Sequence, residues 1–186
     1  SFSFISMWCN ILNIKPSGYP IKMDLSYAQS VPQMWQQFFQ AYCASPAKSI
    51  KYIDWSGNPV QDQFMRFLTE CQNLYYIGLD GCFNAQNADV MIKFAEYMTV
   101  KTYTASLSVR GNDTGRADHN FSVFLEKLSN YQGLRQLDVS GQSIGDAELN
   151  SLLLILQKNK KLEKLQYDGN LNVSYDALVN FYTLIS

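Results

Sequence analysis

LRQLDVSGQ, residues 134–142, is followed by LEKLQYDGN, residues 162–170. Both phrases carry Leu at the first and fourth positions, an apolar residue at the sixth and Gln or Asn at the ninth. A phrase rewritten at a near-constant interval marks a repeated structural unit, and the unit then dictates the fold of the whole. Anchored on the two central apolar residues and the polar residue three further on, the phrase runs back along the chain. Its copies are Leu165, Tyr167, Asn170; Leu137, Val139, Gln142; Leu107, Val109, Asn112; Ile77, Leu79, Cys82; Ile53, Trp55, Asn58; and Met23, Leu25, Ala28. Successive first anchors lie 28, 30, 30, 24 and 30 residues apart. A partial copy, Phe2, Ile5, Met7 and Asn10, precedes them.

The spacers give an independent check. A helix that faces a core carries apolar residues at i, i+3, i+4 and i+7. The six spacers supply Trp35-Phe38-Phe39-Tyr42, Phe64-Phe67-Leu68-Cys71, Met91-Phe94-Ala95-Met98, Phe121-Phe124-Leu125-Leu128, Leu149-Leu152-Leu153-Leu156 and Leu178-Phe181-Tyr182-Ile185. The unit is therefore a short strand, a turn, a helix and a loop, with Asp146 and Ser174 expected as N-caps of the last two helices.

One unit cannot bury both its strand and its helix, so the units must stack. Stacking gives a parallel sheet on one side and a row of helices on the other. Neighbouring helices need about 10 Å and neighbouring strands about 4.8 Å, so the stack curves with the sheet inside. The expected fold class is α/β, a solenoid of about six repeats, with strands centred near residues 24, 54, 78, 108, 138 and 166. Residues 1–18 read as a partial N-terminal repeat or cap and residues 19–186 as the repeat domain. The polar residue of the phrase has its own task. Where the backbone leaves the strand, buried peptide groups need partners, and Asn58, Asn112 and Asn170, with Gln142 and Cys82 as substitutes, can supply them.

Composition narrows the function classes. The 186 residues carry a net charge of −1 and 17% charged residues, which does not suit a nucleic-acid binder. No apolar run approaches the length of a membrane span. Cys9, Cys43, Cys71 and Cys82 form no C-x-x-C pair and read as buried thiols of an intracellular protein. The single histidine, His119, reads as a loop residue without a nucleophile beside it. No phosphate-binding glycine motif or metal-ligand spacing is present. No cofactor and no enzymatic activity are expected.

This is the leucine-rich repeat pattern, similar to the helix-bearing form of about 28 residues in ribonuclease-inhibitor-like proteins. From Ser106 onward the chain more narrowly resembles the C-terminal repeats of the CARMIL family. The residues that carry this are LDVSGQSIGD (137–146), LQKNKKLEKLQYDGN (156–170), with Tyr167 where the family usually has Trp, and RGNDTGRADHNFSVFLEKLSN (110–130). The resemblance implies a linker of actin capping protein, the Arp complex and myosin I, in the cytoplasm and at the cytoskeleton or membrane surface.

On the concave face the residues between the anchors point outward, because strand side chains alternate. The candidate binding residues are Tyr52, Asp54, Tyr76, Asp80, Arg110, Asp138, Gln166 and Asp168. Exposed tyrosines are frequent interface anchors, but cross-strand neighbours also pack merely to stabilise a sheet. The function expected is a non-enzymatic scaffold for protein partners. The alternatives are a ribonuclease-inhibitor or receptor-type binding module and a small-GTPase-activating repeat protein. Uncapped repeat ends also offer apolar edges for self-association.

Overall fold

The computed structural model describes residues 21–27, 36, 39, 50–71, 73–100, 103–113, 116–117, 120–170 and 172–185. Residues 1–18, with their expected capping role, lie outside this set, as do Ala28, most of the first spacer, His119, Cys9 and Cys43.

Among the described residues, six strands form one sheet in the order β1-β2-β3-β4-β5-β6: Ile21–Asp24, Ile50–Asp54, Tyr76–Gly78, Ser106–Ser108, Gln136–Asp138 and Lys164–Gln166. Every neighbouring pair is parallel. Among the described residues, helices α1 (Asp62–Glu70), α2 (Ala88–Thr99), α3 (Phe121–Leu128), α4 (Asp146–Lys158) and α5 (Tyr175–Ile185) fill the second to sixth spacers. The chain folds as a leucine-rich-repeat solenoid.

The register keeps equivalent residues level. Met23, Ile53, Ile77, Leu107, Leu137 and Leu165 form one continuous row through the stack. The first five are at most 1% exposed. The helix stripes meet them from the other side: Phe64, Phe67, Leu68 and Cys71, then Met91, Phe94, Ala95 and Met98, then Phe121, Phe124, Leu125 and Leu128, are all buried. The first units are joined by aromatic contacts, with Trp55 stacked on Phe64 at 4.5 Å and Phe39 at 5.1 Å from Phe67. Burying each such side chain contributes about 1.5–3 kcal/mol. Exposed ion pairs such as Arg135–Glu163 and Lys127–Glu96 contribute about 0–1 kcal/mol. Apolar stacking therefore holds the array.

The later helices depart from the expected stripe. In α4, Ile155 is buried and Leu156 is only partly so. In α5, Phe181 is buried while Tyr182 and Ile185 are exposed, because no further helix packs on that side among the described residues. Asp146 is not the N-cap of α4. It occupies the first helical turn, and Gly145 precedes it with its N–H donated to Glu148 Oε2 at 2.9 Å. Asp146 instead accepts the N–H and the hydroxyl of Ser174, both at 2.8 Å, which holds its carboxyl below the usual range. Ser174 does cap α5, accepting the Ala177 N–H at 3.2 Å.

Both ends of the strands are stapled between units. Beyond each strand the parallel ladder continues: Leu25 and Tyr27 donate to Asp54 and Ser56, Trp55 and Gly57 to Gly78 and Asp80, and so on to Val139 and Gly141, which donate to Gln166 and Asp168. Inside the turn the expected side chains serve the backbone. Asn58 donates to Leu25 O at 2.6 Å and to Trp55 O at 3.1 Å, Cys82 to Trp55 O, and Gln142 to Val109 O. Asn170 donates to Tyr167 O and accepts the Ile144 N–H. Asn112 is turned another way: its amide lies against Gly81 and donates to the Tyr27 hydroxyl at 3.3 Å. At the opposite end of the strands, Thr104 donates to Leu74 O, Tyr131 to Thr104 O and Asn159 to Leu134 O.

Candidate protein-binding surface

The concave face follows from strand alternation. Two side-chain rows cross it, Tyr52-Tyr76-Ser106-Gln136-Lys164 and Asp24-Asp54-Gly78-Ser108-Asp138-Gln166. Small residues stand in the middle. Gly78, Ser106 and Ser108 are nearly covered, so larger neighbours on either side rise above them. A hollow of about 230 Å³ results, lined by Tyr76, Asp80, Arg110, Gln136, Asp138 and Gln166 over a floor that includes Ser106 and Ser108. A Cβ at Gly78 would lie 2.8 Å from the Tyr76 hydroxyl and 2.9 Å from Asp54 Oδ1, so glycine lets these two side-chain ends settle over the strand.

The acids of this face do structural work that alternation alone does not reveal. Asp24, Asp54 and Asp138 each accept the N–H of the serine two residues on, at 3.0–3.1 Å. This closes a side-chain turn at the strand end. Ser56 and Ser140 then accept the N–H of the next unit's Asp80 and Asp168. The D-x-S motif is thus a staple between units. Asp80 works differently. Its Oδ1 accepts the Ser108 hydroxyl at 2.5 Å and the Arg110 N–H at 2.9 Å. Burial raises its pKa above the usual carboxylate value, against those hydrogen bonds and the Arg110 charge. Arg110 itself is 56% exposed and places Nε 3.8 Å from Asp138 Oδ2. The Tyr76 hydroxyl is pushed up to about 12 by burial and by the charges of Asp54 and Asp80.

Of the eight expected residues, the fold brings Tyr76, Asp80, Arg110, Asp138 and Gln166 around the one hollow. Asp54 adjoins it across Gly78. Tyr52 flanks it, 40% exposed, with its ring 6.4 Å from Tyr76. Asp168 stands exposed at the strand end and does not line the hollow. Two features escaped the sequence reading. Tyr75 and Tyr103 join Tyr52 at the rim where the strands begin. A glycine row, Gly57, Gly81, Gly111, Gly141 and Gly169, lies four residues after the first anchors of the last five units, with Tyr27 in the same place of the first. The glycines other than Gly111 have φ between 66° and 72°, a left-handed conformation that glycine adopts without strain. The regular recurrence of x-G-[N/C/Q] after β2 to β6 was the available signal.

No family model matches the chain. A relative, the Rho GTPase-activating protein gacW of Dictyostelium discoideum, is 29% identical over 167 residues, covering 84% of this chain and 14% of that protein. The chain thus spans only a small part of the length of the curated relative it matches. Among solved structures, the tropomodulin C-terminal domain of Caenorhabditis elegans has a TM-score of 0.49 at 11% identity, covering 97% of this chain and 90% of that one. That degree of likeness adds nothing to what the six-stranded sheet already shows of the fold. Among the described residues no three His, Cys, Asp or Glu side chains are grouped to hold a metal ion. No helix among them is long and apolar enough to cross a membrane.

Proposed function

We propose that the chain is a non-enzymatic protein-interaction module, a leucine-rich-repeat segment of a cytoplasmic actin-cytoskeleton regulator resembling CARMIL. The observation that carries this reading is the concave hollow, where Arg110, Asp80 and Asp138 stand together beside the Tyr76 and Tyr52 rings. Fixed charges set partner choice and orientation, and tyrosines provide rigid contact area. Backbone ladders on the flanking turns keep these groups at constant spacing, so little ordering entropy is lost on binding.

Surface plasmon resonance tests it, with the chain passed over immobilised actin capping protein, Arp complex and myosin I. Saturable binding to one of them, weakened at least tenfold by Arg110→Glu with an unchanged circular dichroism spectrum, is expected. Saturable binding to none of the three would remove the actin-linker reading. A second reading is favoured by the relative named a Rho GTPase-activating protein: the chain is itself a small-GTPase-activating leucine-rich repeat protein. It requires the chain to bind a Rho-class GTPase or to accelerate its GTP hydrolysis. Neither effect at micromolar chain would eliminate it.

A further inference from the structure

Where β2, β3 and β4 begin, Lys51, Tyr52, Asn73, Tyr75 and Tyr103 line a groove of about 490 Å³. Three successive units each contribute a tyrosine there, 40%, 39% and 68% exposed. The Tyr52 and Tyr75 rings are 5.8 Å apart and inclined at 53°, so they form a V and not a closed stack. We propose that this groove binds a proline-rich peptide in the polyproline II conformation with an acidic residue beside the prolines. The proposal rests on the reading of the chain as a protein-binding module and names one class of partner for it.

Three physical matches select this occupant. The first is hydrogen-bond sense. The lining offers donors in abundance: three phenol hydroxyls, the Lys51 ammonium and the Asn73 amide. A proline-rich strand lacks N–H groups and presents unpaired carbonyls, so donors are what it needs. The second is spacing. Strand β2, which holds Tyr52, and strand β4, which Tyr103 precedes by three residues, are two strand steps apart across the sheet, about 10 Å, and a polyproline II helix repeats every three residues, about 9 Å. Pyrrolidine rings one turn apart can then lie against tyrosines of the first and third units, with Tyr75 between them. The third is charge. Among the described lining residues Lys51 carries the single formal charge, and no carboxylate opposes it. An acidic residue flanking the prolines would pair with it. Addition of a peptide strand to the sheet is not available here, because the backbone at this rim is engaged within the array: Tyr75 donates to Lys51 O, and Ala105 and Ser106 donate to Tyr75 O.

The test is fluorescence anisotropy with the whole chain. The probes are three labelled ten-residue peptides: four prolines flanked by two aspartates, the same prolines flanked by two serines, and the aspartate peptide with alanine in place of proline. The aspartate–proline peptide should bind at least tenfold more tightly than the alanine peptide. Tyr75→Ser and Tyr103→Ala should each weaken it at least fivefold. Lys51→Glu should weaken the aspartate–proline peptide and leave the serine–proline peptide unchanged. All three side chains are exposed, so folding should survive, and circular dichroism melts check this. Equal affinity for the proline and alanine peptides, or indifference to both tyrosine substitutions, overturns the proposal. Arg110→Glu separates the two readings, since it should disturb the partner of the hollow and spare the proline peptide. Partner binding that depends on Arg110 without any proline-peptide binding would overturn the groove assignment alone.

Discussion

Gly141 and Gly169 share a backbone conformation but not an environment, and the pair isolates what a turn glycine contributes to stacking. Both have φ of 72°. Replacing either with alanine forces an L residue into the left-handed region, at about 1–2 kcal/mol. A Cβ on Gly169 would find its nearest neighbour at 3.9 Å, an ordinary contact. A Cβ on Gly141 would lie 2.6 Å from the carbonyl oxygen of Gly111. That neighbour is backbone of the adjacent unit and is fixed by the ladder bond from Gly111 N–H to Ser140 O. Relief therefore requires the two units to separate, an overpacking strain of about 1–3 kcal/mol more. Gly141→Ala should cost about 2–5 kcal/mol and Gly169→Ala about 1–2 kcal/mol. Urea unfolding followed by circular dichroism measures both, with the slope m checked so that fraying of one unit is not mistaken for global loss. Asparagine tolerates the left-handed region, so Gly169→Asn should recover most of the loss at that site, while Gly141→Asn should not. Equal costs for the two alanine variants would refute the claim that glycine is needed for contact between units and not merely for the turn.

Leu137→Ala and Leu153→Ala should each destabilise the array by about 2–5 kcal/mol, because both side chains are buried; a melting temperature unchanged within error would place them outside the core. Asn58→Ala leaves the Leu25 and Trp55 carbonyls without this buried donor and should cost about 1–3 kcal/mol, read from the urea midpoint. The two shifted carboxyls act oppositely on acidification. Asp80 is raised in the fold, so the folded state binds its proton more tightly and stability from this group rises as pH falls through that raised value. Asp146 is lowered, so its contribution is present above the unfolded value near about 3.9 and is lost as pH falls through its folded value. Melting temperatures across pH 2–7 should therefore lose their upper acidic rise in Asp80→Asn and part of their final fall in Asp146→Asn; unchanged profiles would contradict both assignments.

The repeat was legible because its causes are local and periodic. An apolar residue at every second strand position and at i, i+3, i+4 and i+7 of each helix is demanded by burial on one face. A row such as Ile53, Ile77, Leu107 and Leu137 therefore announces itself in the spacing. The Asn58, Cys82 and Gln142 turn bonds were equally legible, since a buried peptide carbonyl at a fixed place in the unit needs a donor at a fixed place. Direction across the stack was not. Asp54 and Asp138 look like free concave charges in the sequence, and only the folded turn shows each bound to its own serine. Asn112 occupies the ladder position, yet Gly81 gives its amide room to reach Tyr27, 85 residues away in the chain. The hollow required Gly78, Ser106 and Ser108 to come level beneath larger neighbours. The tyrosine groove required residues 52, 75 and 103 from three units, at different distances from their anchors, to share one rim. Periodicity fixes which way a side chain points relative to its own unit. What it meets in the next unit depends on stacking, because those neighbours lie 24 to 30 residues away and are brought together only when the sheet closes.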